Sequence, residues 1–415
     1  MKDKRVVITG TGIISSIGNS TEEFWQSLMD VKCGIGPITN FDAADFRTQI
    51  AGEVKAFDVT QYVPKKEARK LDPFCQFAIA ASDEAVKQAG LDQEGSFDPE
   101  RVGVLVGSGI GGIRTLETLS KTMLSRGPGR VSPFTVPMMI SDMASGNLSI
   151  RYGFKGPNFG IVSACATATH SIGEAWWMIK RGDADIMLAG GAEACVSEQG
   201  MAGFCAMKAM SERNDDPLTA SRPFDKDRDG FVMAEGAGVL ILESLESAEK
   251  RGATILAELV GYGATGDAGH ITAPDENGTG AAKAMTIALN HAGLKPEDVD
   301  YYNAHGTSTP LNDKFETKAL KRAFGDHAYK LAVSSTKGLT GHGLGAAGGL
   351  ETIACIKAIN EGIVPCTANY NTPDEDCDLD IIPNTPRKME VNVAMNMNLG
   401  FGGHNGAVIV KKFVK

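Results

Sequence analysis

The sequence predicts an α/β fold made of two similar halves, and three features carry that expectation. Short apolar runs end in glycine-rich turns, at Val6–Gly12 and again at Val102–Gly112, as the buried strands of such folds do. Gly156 to Glu174 reads as a strand, a tight turn of small residues and an amphipathic helix. The third feature is internal repetition. Ala85-Val-Lys-Gln-Ala-Gly-Leu, followed by Val102-Gly-Val-Leu-Val-Gly-Ser-Gly, is matched by Ala288-Leu-Asn-His-Ala-Gly-Leu followed by Val299-Asp-Tyr-Tyr-Asn-Ala-His-Gly. Phe159-Gly-Ile-Val-Ser-Ala-Cys is matched in turn by Leu331-Ala-Val-Ser-Ser-Thr-Lys. Two ordered pairs imply duplication, with halves of residues 1–252 and 253–415 joined near Ser247 to Ala257.

Composition fits that reading and excludes several function classes. A chain of 415 residues is too long for one simple core. Its net charge of −10 disfavours nucleic acid as a partner. No apolar run reaches the roughly 18 residues of a membrane span, and Met1-Lys-Asp-Lys-Arg leads directly into a strand without a signal-peptide core. A soluble cytoplasmic protein is therefore expected. Eight cysteines without CxxC pairs argue for reduced thiols and against zinc or a disulfide frame. Gly10-Thr-Gly lacks both the third glycine and the later acidic residue of a dinucleotide fingerprint, so tight backbone packing explains this turn and Gly107–Gly112 better than a nicotinamide does.

Taken along the chain, the first half offers Cys165, which follows the strand ending in Ser163 and Ala164 and opens the helix. Free N–H groups and the helix dipole favour a thiolate there, so the thiol pKa is expected to fall. A cysteine at such a place is either this nucleophile or a small buried apolar residue, as the other seven are read. The second half brings two strand ends rich in small polar residues, Asn303-Ala-His305-Gly-Thr307-Ser-Thr309-Pro and Ser335-Thr-Lys337 through His342 to Glu351. Reactive groups of open α/β sheets gather beyond strand carboxyl ends, so a pseudo-twofold pairing of the halves would bring Cys165, His305, His342 and Lys337 together. His291 and His327, in helical charged surroundings, read as solvated. A cysteine with two histidines, no ligand spacing for a metal and no GxSxG fits acyl transfer to a thiolate, with neutral imidazoles donating to a developing oxyanion.

Five segments then carry a resemblance over almost the whole chain: Ser163-Ala-Cys-Ala-Thr, Arg222-Pro-Phe-Asp-Lys-Asp-Arg-Asp-Gly-Phe-Val-Met-Ala-Glu-Gly, Asn303 to Pro310, Ser335-Thr-Lys through His342, and Gly400-Phe-Gly-Gly-His-Asn. Together they resemble the condensing enzymes of the thiolase superfamily, and among these the elongating β-ketoacyl-acyl-carrier-protein synthases. The resemblance implies a thiolase-like five-layered α-β-α-β-α fold, a homodimer, and decarboxylative condensation of malonyl carrier protein with an acyl chain held on Cys165. It assigns enolate stabilisation to His305 and His342, and electrostatic support of His342 to Lys337 with Glu316. The oxyanion hole falls to the N–H groups of Cys165 and Phe401, and Phe401 would also gate the site between glycines. Thr307 and Thr309 would meet the pantetheine arm, Ile110 and Phe204 the acyl chain, and Asp267, His270 and Thr272 would form a second mobile loop, with Gly402 and Gly403 beside the gate. Lys65, Lys66, Arg69, Lys70, Arg130 and Lys208 would dock acyl- and malonyl-carrier protein. No cofactor is required, although Asn303, Ala304, Glu351, Asn396 and Met397 correspond to a structural Na+ or K+ site. Two rivals stand beside this reading: a degradative thiolase, and a catalytically silent chain-length partner of a polyketide heterodimer, which would lack the nucleophile.

Overall fold

A computed structural model describes residues 4–93 and 95–415. Its main strands are β1 (Val6–Ile14), β2 (Val102–Gly107), β3 (Ile186–Glu193), β4 (Gly236–Ser244), β5 (Ala257–Gly266), β6 (Tyr301–Asn303), β7 (Ala332–Ser334), β8 (Val393–Gly400) and β9 (His404–Lys411). They form one sheet in the order β2-β3-β4-β1-β5-β9-β8-β6-β7. Outward from its middle, each half runs through its first strand, its last, its next to last and then an earlier one. Beyond β2, Asn158 bridges Val104 in parallel, where the other half has β7. The halves join edge to edge through an antiparallel pairing of β1 with β5 at Val7↔Glu258 and Ile8↔Ala257. The duplication is therefore visible in the strand order itself.

Five layers follow from where the helices pack. Helix α1 (Pro73–Gln88) covers the outer face of the first half-sheet, with Asp72 capping it by accepting from Phe74 N. Helices α3 (Thr279–Ala292) and α4 (Pro310–Phe324) cover the outer face of the second. Between the two half-sheets lie α2 (Thr167–Arg181) and α5 (Ala347–Glu361), each touching strands of both halves and each other. Contact is backbone to backbone at one point: a Cβ on Gly349 would lie 2.2 Å from the carbonyl oxygen of Gly238. Glycine is required there because the central helix leaves no room for a side chain.

Both central helices begin alike, and the register of the repeat follows from that likeness. A three-residue 3-10 turn precedes each, Ala164–Ala166 and Leu344–Ala346, and its first residue is left-handed, at φ 49° for Ala164 and 48° for Leu344. Cys165 is thus equivalent to Gly345. The sequence match had set it opposite Lys337. The link between strand and helix is longer in the second half, where Ser335 to Gly343 includes a short helical turn at Lys337–Thr340 and carries Lys337 and His342. A further correction concerns Phe159–Val162, which does not form a regular strand. It runs along the outer margin of the sheet, with a single bridge at Asn158 and with Phe159 and Val162 exposed. His291 is exposed and His327 half-buried, and each ring also makes one backbone hydrogen bond: Nδ1 of His291 lies 2.6 Å from Tyr262 O, and Nε2 of His327 lies 3.0 Å from Val299 O.

Candidate active site

At the start of α2 the left-handed Ala164 turns the chain so that Cys165 caps a cavity of about 410 Å³. A non-glycine residue in that conformation costs about 1–3 kcal/mol and needs its surroundings to hold it. Ser163 N donates to Thr167 Oγ1 at 2.9 Å and Ala166 N to Ser163 O at 3.0 Å, fixing both sides of the turn. The second half closes the same cavity with His305 and Thr307 after β6, His342 from the longer link, and Phe401. The two imidazoles are nearly perpendicular, with centroids 5.2 Å apart. Cys165, His305 and His342 therefore share one chamber, although they come from different halves.

Electrostatics in this chamber are set by burial and one cation. Lys337 is buried and ion-paired to Glu351, at 1% and 3% side-chain exposure. Burial, then the Lys337 ammonium, then His342 hold the His305 pKa well below its ordinary value, and burial and Lys337 do the same for His342. Both rings are neutral. Leu344 N donates to Nδ1 of His342 at 3.3 Å, so the ring proton of His342 sits on Nε2. Cys165 departs from expectation. Burial pushes its thiol up to about 12, and the nearby Lys337 ammonium and its own backbone N–H offset that only in part. The helix-start argument considered local dipoles, whereas removal from water is the larger effect. Cys165 at rest is a thiol.

Glu316 also differs from its assignment. Its carboxylate accepts from His305 N at 2.7 Å, Gly306 N at 2.8 Å and Tyr302 Oη at 3.0 Å, so it braces the His305 loop and not His342. Burial pushes it up to about 7. Support of Lys337 falls instead to Glu351.

Of the substrate-binding candidates, Phe204, Asp267, Thr272, Thr307 and Thr309 line the cavity shared by Cys165, His305 and His342. The hydroxyls of Thr307 and Thr309 lie 3.0 Å apart, and Thr309 also caps α4. Phe401 sits in the three-residue turn between β8 and β9, its ring 6.3 Å from that of Phe204. Gly402 and Gly403 take φ 90° and 74°, which lets so tight a hairpin turn form. They are off the cavity wall, and so are Ile110 and His270. Gly402 N donates to Ile271 O at 2.7 Å and Asp267 N to Gly403 O at 2.9 Å, so the gate turn and the second loop are hydrogen-bonded together. His270 Nδ1 accepts from Thr272 N and Ala273 N, and Ile110 turns an exposed side chain outward while its N–H meets Glu193.

The basic candidates Lys65, Lys66, Arg69, Arg130 and Lys208 are exposed, and Lys70 is half-buried beside Glu67 and the Phe134 ring. Arg69 and Arg130 line one surface recess, and Lys208 belongs to the wall of the cavity that holds Cys165. For a cation, the fit is partial. Asn303 and Asn396 pair in register across β6 and β8, and among the described residues each has a buried Oδ1 without a hydrogen-bond partner. Two orphaned amide oxygens side by side suit a hard monovalent ion. The carboxylate of Glu351 is engaged by Lys337, and Met397 turns its side chain into the outer core of the second half, on the face opposite Asn396.

Two residues of the site escaped the sequence reading. Asn398 bonds His305, Glu351 and Thr169 at once. Glu193 accepts from Ser108 Oγ, Gly109 N, Ile110 N and Gly345 N, tying the first half's glycine turn to the second half's helix start. Each left a trace: Glu193 is a lone carboxylate ending an apolar strand, and Met395-Asn-Met-Asn-Leu alternates polar residues onto one face of β8.

Comparison with known proteins supplies the remaining observations. The N-terminal domain model of β-ketoacyl synthases matches residues 3–248, and the C-terminal domain model matches residues 256–371. A 3-oxoacyl-[acyl-carrier-protein] synthase 2 from Synechocystis is 52% identical over 100% of this chain and 99% of its own. A β-ketoacyl synthase from Burkholderia phymatum, 35% identical, superposes with a TM-score of 0.92 over 99% of this chain and all of that one. So does a type II polyketide ketosynthase, bound to a hexaketide and in complex with its acyl-carrier protein, at 32% identity and TM-score 0.92 over the full length of both chains.

Proposed function

We infer the function from a single premise: the chain belongs to the β-ketoacyl synthase family. It is a β-ketoacyl-acyl-carrier-protein synthase, an acyltransferase that lengthens an acyl chain by two carbons in fatty acid synthesis. One observation carries the chemistry: a thiol and two neutral imidazoles, drawn from both halves, face a common cavity.

The sulfur of Cys165 attacks the thioester carbon of acyl carrier protein. A bond forms between Sγ and the acyl carbon, the bond to the pantetheine sulfur breaks, and the thiol proton leaves with that sulfur. Malonyl carrier protein follows, reaching past Thr307 and Thr309. Loss of CO2 leaves an enolate whose oxygen accepts from the Nε2–H groups of His305 and His342. Protonated imidazoles would be weaker partners for this cycle, because they would have to hold charge in a buried site beside Lys337. The enolate carbon then attacks the acyl carbonyl on Cys165. The resulting oxyanion is met by the N–H groups of Cys165 and Phe401, where one donor contributes roughly 3 kcal/mol of barrier lowering. Collapse breaks the carbon–Sγ bond and leaves a thiolate, which takes one proton from solvent to restore the Cys165 thiol.

The exposed Lys65, Lys66, Arg69 and Arg130 suit an acidic carrier protein on this otherwise acidic chain. A homodimer is supported by the sheet margin, where exposed Phe159 and Val162 flank an edge that a second copy could extend. Na+ or K+ is assigned to the orphaned oxygens of Asn303 and Asn396 as a structural ion, with no step of the reaction routed through it. Among the described residues no helix is long and apolar enough to cross a membrane, and the cytoplasm is the assigned location. The silent-partner reading is disfavoured by a Cys165 that opens onto the cavity. Intact-protein mass spectrometry after incubation with acyl carrier protein tests the assignment. An acyl adduct that vanishes in Cys165→Ala is expected, and an unmodified wild-type chain would overturn it.

A further inference from the structure

We propose that Asn398 is a positioning residue for decarboxylation: its side-chain amide fixes the tautomer of His305, placing the imidazole proton on the nitrogen that faces the cavity. The argument rests on the order of donors and acceptors around one buried amide. Asn398 lies on the face of β8 that meets the central helices, fully buried. Its Oδ1 receives the hydroxyl of Thr169 and, at 3.2 Å, Nδ2 of Asn396. Its Nδ2 lies 2.7 Å from Oε2 of Glu351 and 3.3 Å from Nδ1 of His305.

The amide cannot be reversed. Reversal would set its oxygen against the Glu351 carboxylate and its NH2 against the NH2 of Asn396, pairing acceptor with acceptor and donor with donor. Its two N–H groups are therefore spent on Glu351 and on Nδ1 of His305. Nδ1 must offer a lone pair, and the single proton of the neutral ring goes to Nε2. A free neutral imidazole distributes its proton over both nitrogens, and only one of these arrangements can donate to an enolate oxygen. The same amide extends the Lys337–Glu351 ion pair to His305, giving the buried lysine a route of influence beyond its field. His342 obtains the same tautomer by a different device, the N–H of Leu344.

The kinetic readout rests on the function proposed above, while the spectroscopic one does not. In full-length protein carrying 15N-labelled histidine, two-bond proton–nitrogen correlations for His305 should give a pyridine-type Nδ1 and a pyrrole-type Nε2 at neutral pH. Asn398→Asp fills the same volume. Whether ionised or holding one proton taken by Glu351, it turns an acceptor oxygen to Nδ1 and draws the ring proton there. Release of CO2 from malonyl carrier protein should then fall by about 10²–10³-fold, the usual effect of losing one oxyanion donor. Transfer of an acyl group to Cys165 should change less than about threefold, since on this account it does not use His305 as a donor. Asn398→Ala, which leaves a void but no misplaced acceptor, should decarboxylate faster than Asn398→Asp. A purely structural role predicts instead that acyl transfer to Cys165 falls in step with decarboxylation in both variants, because a disturbed fold would harm the two half-reactions alike. A proton on Nδ1 in the wild-type protein, or an Asn398→Asp enzyme at least as fast as Asn398→Ala, would overturn the proposal. Absence of decarboxylation in the wild type would refute the functional reading alone, and the tautomer signal would still decide for or against Asn398.

Discussion

Replacing Lys337 by methionine separates the two things that its buried ion pair does. Both partners are almost wholly inaccessible, at 1% and 3% side-chain exposure, so solvent screens neither. Removing one member of such a pair strands the other and typically costs about 3–5 kcal/mol. Unfolding entropy near 2.1 cal/mol/K per residue gives roughly 0.9 kcal/mol/K for a chain of 415 residues, so Tm should drop by about 3–6 °C. Burial already raises the Glu351 pKa, with Lys337 the main opposing influence. Without the ammonium the carboxyl is raised further and stays protonated in the folded state. A raised carboxyl favours folding fully below its unfolded pKa, here 4.5, and that contribution is lost as pH climbs through the folded value. The deficit of Lys337→Met should therefore be small near pH 4.5 and grow toward pH 8.5. Adding Glu351→Gln should restore most of the stability and remove the pH dependence, yet leave condensation slow. Differential scanning calorimetry of the two variants across that range measures all of this. A single variant as stable as the wild type at pH 8.5, or a double variant no better than the single, would refute the reasoning.

Other expectations follow from the same geometry. Alkylation of Cys165 by iodoacetamide in the free enzyme should keep accelerating beyond pH 9, because burial holds the thiol near 12; a plateau around neutrality would mean that Lys337 and the helix start outweigh burial. Arg69→Glu or Lys70→Glu should raise KM for carrier-protein substrates at low salt and leave decarboxylation of a small malonyl thioester unchanged, and an unaltered KM would reject that patch as the docking surface. Exchanging Na+ and K+ for choline should lower Tm in the wild type and have no effect in Asn396→Leu, where one orphaned oxygen is gone.

Much of the fold was legible because its signals are local. Apolar runs closed by glycine, and a repeated helix–loop–strand pattern, lead directly to two half-sheets, with Cys165 at the start of a central helix and His305 just after β6. The register of the second repeat was not legible. Thr336–Gly343 looks like the start of a helix in sequence, and only the shared left-handed turn at Ala164 and Leu344 aligns Cys165 with Gly345. The partner of Glu316 was misjudged for a related reason. The carboxylate stands two turns into α4 and reaches back to the loop that precedes its own helix, a choice made by packing and invisible in spacing. The Cys165 thiol shows the same limit. Local dipoles can be read from a helix start, but desolvation depends on everything packed against it. Asn398 binds residues 47 and 93 positions away in sequence, so a polar alternation on β8 could mark it as unusual without saying what it holds.

The central claim is that one buried thiol and two neutral imidazoles make a carbon–carbon bond at the expense of a carboxylate. Supplying acyl carrier protein and malonyl carrier protein labelled in the free carboxyl tests it directly, with CO2 and the lengthened product counted in the same reaction. One labelled CO2 per β-ketoacyl carrier protein is predicted for the wild type, with both falling together in His305→Ala. Lengthened product without CO2, or CO2 release undiminished in Cys165→Ala and His305→Ala alike, would contradict the account.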